Sequence, residues 1–426
     1  MDTRYKDRER NEAARAALAA RKKKLRARKR RLRRLVLLNV VLLAAVIGMI
    51  SCIQLTSAPV LKGDPEMTIA KGTRFRDPGA KPAHATSEGE VDTEKEGDYT
   101  ITYTNHGESV TRTVHVVDLD NIVLGIKGPE TQLVREGDPY IEGGAFAISH
   151  KSGPLTDEVI DISGDVDTSK PGDYTVTYTL DIGGLTKQKE RTVRVLPAKK
   201  FKEIDRVPVM MYHWIYNKDE VPENLDGNWI LDTDLEEQLK YLKQNDFYFP
   251  SWTELRAWID GDISLPEKSA VLTFDDGTIA FLENGTKLFE KYKIPITSFM
   301  ICWDDNDAEY KVSTFASEYI DFESHTYAMH QKNTDGIHRG IMITKTKKQL
   351  LKDLKKARKV IGNNDALAYP YGEYSDTIVD AVRESGILVA FTTEYDRVQQ
   401  GMDPYELPRI RVIGDASFET WKDSIS

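Results

Sequence analysis

The chain repeats itself. Val91–Thr104 reads VDTEKEGDYTITYT and Val166–Thr179 reads VDTSKPGDYTVTYT, an offset of 75 residues. Each copy ends in a matching segment, RTVHVVD from Arg112 and RTVRVLP from Arg191, and Phe75–Ala80 has its counterpart in Tyr140–Ala145. Internal repetition constrains a fold before any other feature, because each copy must form the same unit. YTITYT and YTVTYT alternate in period two with β-branched and aromatic residues, the pattern of half-buried strands. Gly97-Asp98 and Gly172-Asp173 supply a turn before each strand. Several short strands without helical periodicity predict two small β-sandwiches, at 58–118 and 119–197. Neither contains a cluster suited to catalysis: His84, His106, His115 and His150 are scattered. A spacer role is the plain reading, and wall or glycan binding the alternative.

After a short linker, Pro197–Lys202, the pattern changes. VPVMMYH (207–213), SAVLTFDDG (269–277), ITSFMIC (296–302), ALAYPYG (366–372) and ILVAFTT (387–393) read as strands. Between them lie helical segments opening at Asp232, running up to Tyr292, and covering Lys345–Ile361 and Thr377–Glu384. Strand–helix alternation over 205–426 predicts an α/β domain with a parallel sheet, a distorted β/α barrel. The whole is thus multidomain.

Charge is distributed unevenly. The net charge is −9, yet residues 1–34 carry 16 Lys/Arg against 4 Asp/Glu, so the remainder is strongly acidic. An acidic body argues against nucleic acid as its partner. The basic tail, 1–34, precedes Leu35–Ile53, 19 residues without a charge. As a helix rising about 1.5 Å per residue, that run nearly matches a hydrocarbon core of about 30 Å. Eleven basic residues between Arg21 and Arg34 would stay in the cytoplasm, which places everything after a transmembrane anchor at 35–55 outside the cell. Lipid attachment at Cys52 and a cleaved signal are the alternatives. With only Cys52 and Cys302 in the chain, the exported part has no internal disulfide.

In β/α barrels reactive groups gather where strands end. Here those ends carry His213, Asp275-Asp276-Gly277, His325 to His330, and Tyr369-Pro370-Tyr371-Gly372. A DDG alone is usually a turn or helix cap. Two histidines five apart diverge by about 140° on a regular helix, so His325 and His330 can converge only from irregular backbone. Two imidazoles and a carboxylate form a facial set for Zn²⁺ or a similar ion, and a second carboxylate beside it suits a general base.

Taken together these segments resemble the NodB-homology polysaccharide deacetylases, carbohydrate esterase family four, across about 205–415. TFDDG (273–277) matches the first motif, SHTYAMH (324–330) a variant of the second, AYPYGEY the third, and PVMMYHWI the entry strand of the branch acting on poly-β-1,6-N-acetylglucosamine. The two repeats resemble the Ig-like modules of bacterial surface proteins. The resemblance implies a divalent metal, Zn²⁺ foremost, on Asp276, His325 and His330, with Asp275 taking a proton from the attacking water. It also implies an oxyanion stabilised by the metal and the backbone N–H of Tyr371. The usual late Leu-x-x-His is missing, which leaves His213 to protonate the departing amine. The third motif lacks its arginine: Tyr369 stands in that region beside Pro370, and Arg409 or Arg411 would orient Asp275 instead. Trp214 and Tyr371 are the aromatics expected at the sugar. The implied function is N-acetyl hydrolysis on an extracellular polysaccharide, either peptidoglycan or poly-N-acetylglucosamine. An O-acetyl esterase and an inactive glycan-binding protein are the alternatives, and no obligate protein partner is evident.

Overall fold

The computed structural model describes residues 58–155, 160–303 and 305–426, with 29, 36–40 and 42–43 before them. The expected basic tail and most of the expected membrane span lie outside the described residues. Among those described, no helix is long and apolar enough to cross a membrane. Two compact units divide the chain. One comprises the described residues up to Pro65 with Arg76–Glu90 and Thr100–Thr113, and the other comprises the described residues of Glu66–Phe75, Val91–Tyr99 and Val114–Ser426.

In the first unit, Tyr103 and Arg112 are buried, and the Arg112 guanidinium binds Asp77, the Tyr103 hydroxyl at 3.0 Å and the carbonyls of Lys62 and Asp64. The second repeat, in the other unit, builds the same knot. Arg191 binds Glu142 and the carbonyl of Lys127, while the Tyr178 hydroxyl donates to Glu142 at 2.6 Å. The repeated sequence thus encodes a buried arginine neutralised by one carboxylate and capped by one tyrosine, as a buried cation requires. The strands Gly172–Ile182 and Leu185–Leu196 pair antiparallel and bury Val176, Tyr178, Val193 and Val195 on alternate positions.

The carboxyl-terminal part has seven parallel strands: β1 Val209–Tyr212, β2 Val271–Phe274, β3 Ile296–Met300, β4 Ile320–Ser324, β5 Ala366–Ala368, β6 Val389–Phe391 and β7 Ile410–Arg411. Their order is β6-β5-β4-β3-β2-β1-β7. The sheet curls into a half-barrel instead of a regular closed barrel. Across the opening runs the segment 407–411, bridged to Phe391 at Leu407 and paired with β1 at Ile410 and Arg411. Strands buried on both faces explain the continuous apolar runs VMMY and VLTF. Among the described residues seven helices accompany the sheet: α1 Asp232–Gln244, α2 Trp252–Ile259, α3 Ile279–Tyr292, α4 Asp305–Thr314, α5 Lys347–Ile361, α6 Asp376–Glu384 and α7 Phe418–Ile425.

The second repeat is packed against this domain, not held off by a free linker. Ile148 belongs to the barrel's own core cluster, with Val123 and Phe146 against it. Thr253 Oγ1 donates to the carbonyl of Glu142 at 2.9 Å, Asp138 accepts from the Ser264 amide at 2.8 Å, and Lys127 pairs with Asp365.

Candidate metal centre

The carboxyl ends of β1, β2, β4 and β5 open into one cleft of about 250 Å³. It is lined by His213, Trp214, Asp275, Asp276, His325, His330, Tyr369, Tyr371 and Arg411 among the expected residues, and by Asn228, Arg339 and Thr393 besides.

Asp275 and Asp276 leave β2 as neighbours that would point apart on a continuing strand. The backbone prevents this: Asp276 takes φ +74° and Gly277 φ +58°. Gly277 is required there, because a Cβ would lie 2.2 Å from Met300 Sδ. Both carboxylates therefore face the cleft. Asp276 Oδ1 lies 3.7 Å from Nε2 of His325 and 3.7 Å from Nε2 of His330, and its Oδ2 accepts from the Trp214 indole N–H at 3.0 Å.

Irregular backbone brings the histidines together. After β4, Thr326 turns at φ +73°, its amide donating to Ser324 Oγ at 3.1 Å. The next two amides, of Tyr327 and Ala328, donate to the two carboxylate oxygens of Asp353 on α5 at 2.8 and 2.9 Å. The imidazole centroids then stand 4.7 Å apart. His325 Nδ1 is 2.7 Å from the carbonyl of Ala368, which can only accept, so Nδ1 carries the proton and Nε2 offers its lone pair. Burial lowers the proton affinity of His325 to a pKa of about 4, aided by His330 and opposed by Asp275. One donor atom each from Asp276, His325 and His330 fall within 4.8 Å of one another. Two neutral imidazole nitrogens and one carboxylate, with the second nitrogen of His325 tied to a carbonyl, fit a divalent ion.

Asp275 is buried beside this set. Burial pushes its carboxyl up, but the guanidinium of Arg409 outweighs burial and holds it far below the usual carboxylate range. The pairing is bidentate, 2.7 Å at each oxygen. Arg409 is itself fixed by the Thr392 carbonyl, the Thr273 hydroxyl and the faces of Phe299 and Phe391. Of the two arginines the sequence left open, Arg409 reaches Asp275, while Arg411 turns to Asn228 Oδ1 at the cleft wall. His213 lies in the wall with Nδ1 buried and without a hydrogen-bond partner. Burial lowers its pKa, against the attraction of Asp275 and Asp276.

Tyr371 sits at φ +60° in the turn Pro370–Gly372, with its ring stacked on His330 at 4.5 Å. Tyr369 is buried, and its hydroxyl donates away to the Tyr405 carbonyl at 2.9 Å; Pro370 is buried as well. Of the other tryptophans, Trp252 is core and Trp303 is exposed outside the cleft. Sequence reasoning missed Asp353, Asn228, Arg339 and Thr393. Only Asp353 had a signal, a lone acid on the apolar face of an amphipathic helix.

Residues 262–390 match the polysaccharide deacetylase family, and residues 59–116 and 124–195 match the Ig-like domain of bacterial surface proteins. His213 and Arg409 fall outside the first of these spans. The poly-beta-1,6-N-acetyl-D-glucosamine N-deacetylase of Staphylococcus epidermidis is 27% identical over 247 residues, 52% of this chain and 84% of that one. Its namesake from Staphylococcus aureus is 25% identical over 248 residues, 55% of this chain and 82% of that one. Among solved structures, the Streptococcus pyogenes deacetylase PplD in complex with acetate is 21% identical, covering 53% of this chain and 100% of that one with a TM-score of 0.46. A Bacillus cereus polysaccharide deacetylase is 19% identical, covering 80% and 99% with a TM-score of 0.41. The carboxyl-terminal domain of this chain belongs to the polysaccharide deacetylase family of enzymes, and two bacterial Ig-like domains precede it.

Proposed function

We propose that the protein removes N-acetyl groups from an extracellular polysaccharide containing N-acetylglucosamine, with a divalent ion on Asp276, His325 and His330. The observation that carries this reading is the Asp275–Arg409 pair standing beside the three-donor set in one cleft. When bound, the ion supplies a Lewis acid for the acetyl carbonyl and lowers the pKa of water; Zn²⁺ is the first choice, with Co²⁺ and Ni²⁺ compatible with the same donors.

The chain's own residues do the rest. Asp275, kept ionised by Arg409, accepts the proton of the attacking water. Tyr371 offers its backbone N–H to the developing oxyanion. His213, whose burial makes it a ready donor once protonated, gives a proton to the departing amine. Trp214 holds Asp276 through its indole N–H and lines the sugar path. The relatives named for poly-β-1,6-N-acetylglucosamine support an amino-sugar glycan as substrate. The charge-free run 35–53 behind its basic cluster supports a single membrane anchor with the catalytic domain outside.

The test is acetate release by the metal-loaded protein from N-acetylglucosamine oligomers, peptidoglycan and acetylated xylan, beside Asp275→Asn. Metal-dependent acetate from an amino-sugar glycan, lost in Asp275→Asn while metal stays bound, is the expected result. Release from xylan alone would make the protein an O-acetyl esterase. Stoichiometric metal without acetate from any of them would leave a glycan-binding protein.

A further inference from the structure

Two cationic side chains in the cleft take no part in the proposed chemistry. Arg339 and Arg411 both line it, and both are exposed. Among the described residues neither guanidinium pairs with a carboxylate. Asp275 is committed to Arg409, and Asp276 faces the two histidines. Glu373 accepts from the backbone amides of Arg339 and Gly340 at 3.0 and 2.8 Å.

Each arginine is held in place. The Glu373 clamp, with the Asn333 amide donating to the Arg339 carbonyl at 2.7 Å, fixes the backbone from which Arg339 projects. Arg411 rests on Asn228 Oδ1, and the Asn228 amide group is itself oriented by Asp226 at 3.1 Å. With Asp275 paired to Arg409, these two guanidiniums bring two further positive charges, and so a positive local field, to the cleft lining. The surrounding body is strongly acidic, so general surface basicity does not account for that field.

A neutral homopolymer of N-acetylglucosamine offers two such groups hydroxyl and carbonyl acceptors but no counter-charge. Resting on the deacetylase reading above, we infer that the natural glycan carries an anionic substituent, a carboxylate or a phosphodiester, close to the sugar that loses its acetyl group. Arg339 and Arg411, which both line the cleft, are the cations that would meet it. Guanidinium forks suit both oxyanions, which share planar or tetrahedral oxygen pairs.

The experiment measures acetate release by the full-length, metal-loaded protein from four probes. These are neutral β-1,6-linked N-acetylglucosamine oligomers, glycan strands bearing muramic-type lactyl carboxylates, the same strands with those carboxylates amidated, and strands bearing glycerol phosphodiesters. Arg339→Gln and Arg411→Gln are tested beside the parent. We expect kcat/KM on one anionic probe to exceed the neutral oligomer roughly tenfold, and each variant to lose roughly tenfold on that probe through KM. Amidation should abolish the carboxylate's advantage, and added salt should erode the preference. Whichever anionic probe leads identifies the source of the charge. Equal rates on neutral and anionic probes would overturn the inference. So would equal losses in the variants on every probe, since the arginines would then serve the acetyl group. Acetate from none of the probes would remove the deacetylase reading and this one with it.

Discussion

Replacing Lys127 by methionine should loosen the joint between the second Ig-like domain and the barrel, and more so at high pH. The Lys127 ammonium donates to Asn363 Oδ1 at 2.6 Å and pairs with Asp365. It also faces Asp321 and Glu323 on β4. Those two acids share the Asn363 amide at 2.7 Å each, and Glu323 further accepts from the amides of Asp365 and Ala366. One cation therefore serves three carboxylates. Removing one member of a buried pair costs about 3–5 kcal/mol, because the other charge stays behind. Burial pushes Asp321 up to about 6 and Glu323 well above its ordinary value. A carboxyl raised in the folded state holds protons that the unfolded chain has released. Its contribution is complete below about pH 4 and is lost as pH rises through the folded value. Lys127 opposes that loss, so the variant should suffer most above about pH 6, where the acids ionise. At pH 5, with Asp321 and Glu323 protonated, the loss should shrink by the share that those two acids contribute. The melting temperature of the carboxyl-terminal unit, followed by calorimetry of the full chain, should fall by roughly 10 °C at pH 8 and by less at pH 5. Lys127→Arg should recover part of the loss. An unchanged melting temperature at pH 8, or a larger fall at pH 5, would refute the reasoning.

Three other outcomes follow from the site. Arg409→Gln removes the charge that holds Asp275 low and leaves burial to raise its pKa. The acidic limb of the pH–rate profile should move upward, and the variant should lose stability as pH rises through the new value, opposite to the parent. Asp353→Ala strips the amides of Tyr327 and Ala328 of their acceptors, and calorimetric titration should show metal affinity reduced about 10- to 100-fold with little change in overall helicity. Gly277→Ala forces a side chain into φ +58° and against Met300, so the melting temperature should fall by the equivalent of about 2–4 kcal/mol, together with metal affinity.

Much of the centre was legible because strand ends are marked by a change from apolar runs to polar residues, and a parallel sheet sends those ends to one side. His213, Asp275, Asp276, His325, His330 and Tyr371 were all found this way, and the cleft gathers them. What the sequence left open depends on register. Arg409 and Arg411 differ by two positions, and which one meets Asp275 is decided by the alignment of Ile410 with Met210 on β1. Tyr369 was placed near the reacting groups by its position after β5, yet its hydroxyl belongs to Tyr405, a pairing across 36 residues. Lys127 meets Asp365 across 238 residues, so a repeat that reads as a self-contained spacer carries a contact that no local pattern announces. Helix α2 escaped notice although its capping box, Ser251 with Glu254, is written in the sequence.

The conformations that make the centre work lie in loops, and their supports explain why local reading could not supply them. Asp276, Thr326 and Tyr371 all adopt positive φ without being glycine. Such residues cost about 1–3 kcal/mol each and persist only where their surroundings over-determine them. For Asp276 the support is the glycine after it and the Trp214 indole. For Thr326 it is Ser324 on one side and the Asp353 carboxylate, 27 positions away on α5, on the other. For Tyr371 it is Gly340, whose lack of a side chain lets the ring pack at 2.7 Å from where a Cβ would stand, and Gly372, which clears Thr393. Each strained residue is thus held by a glycine or an acid that reads, in sequence, as punctuation or as a solvated charge. The three-donor set is consequently assembled by contacts between elements of the fold.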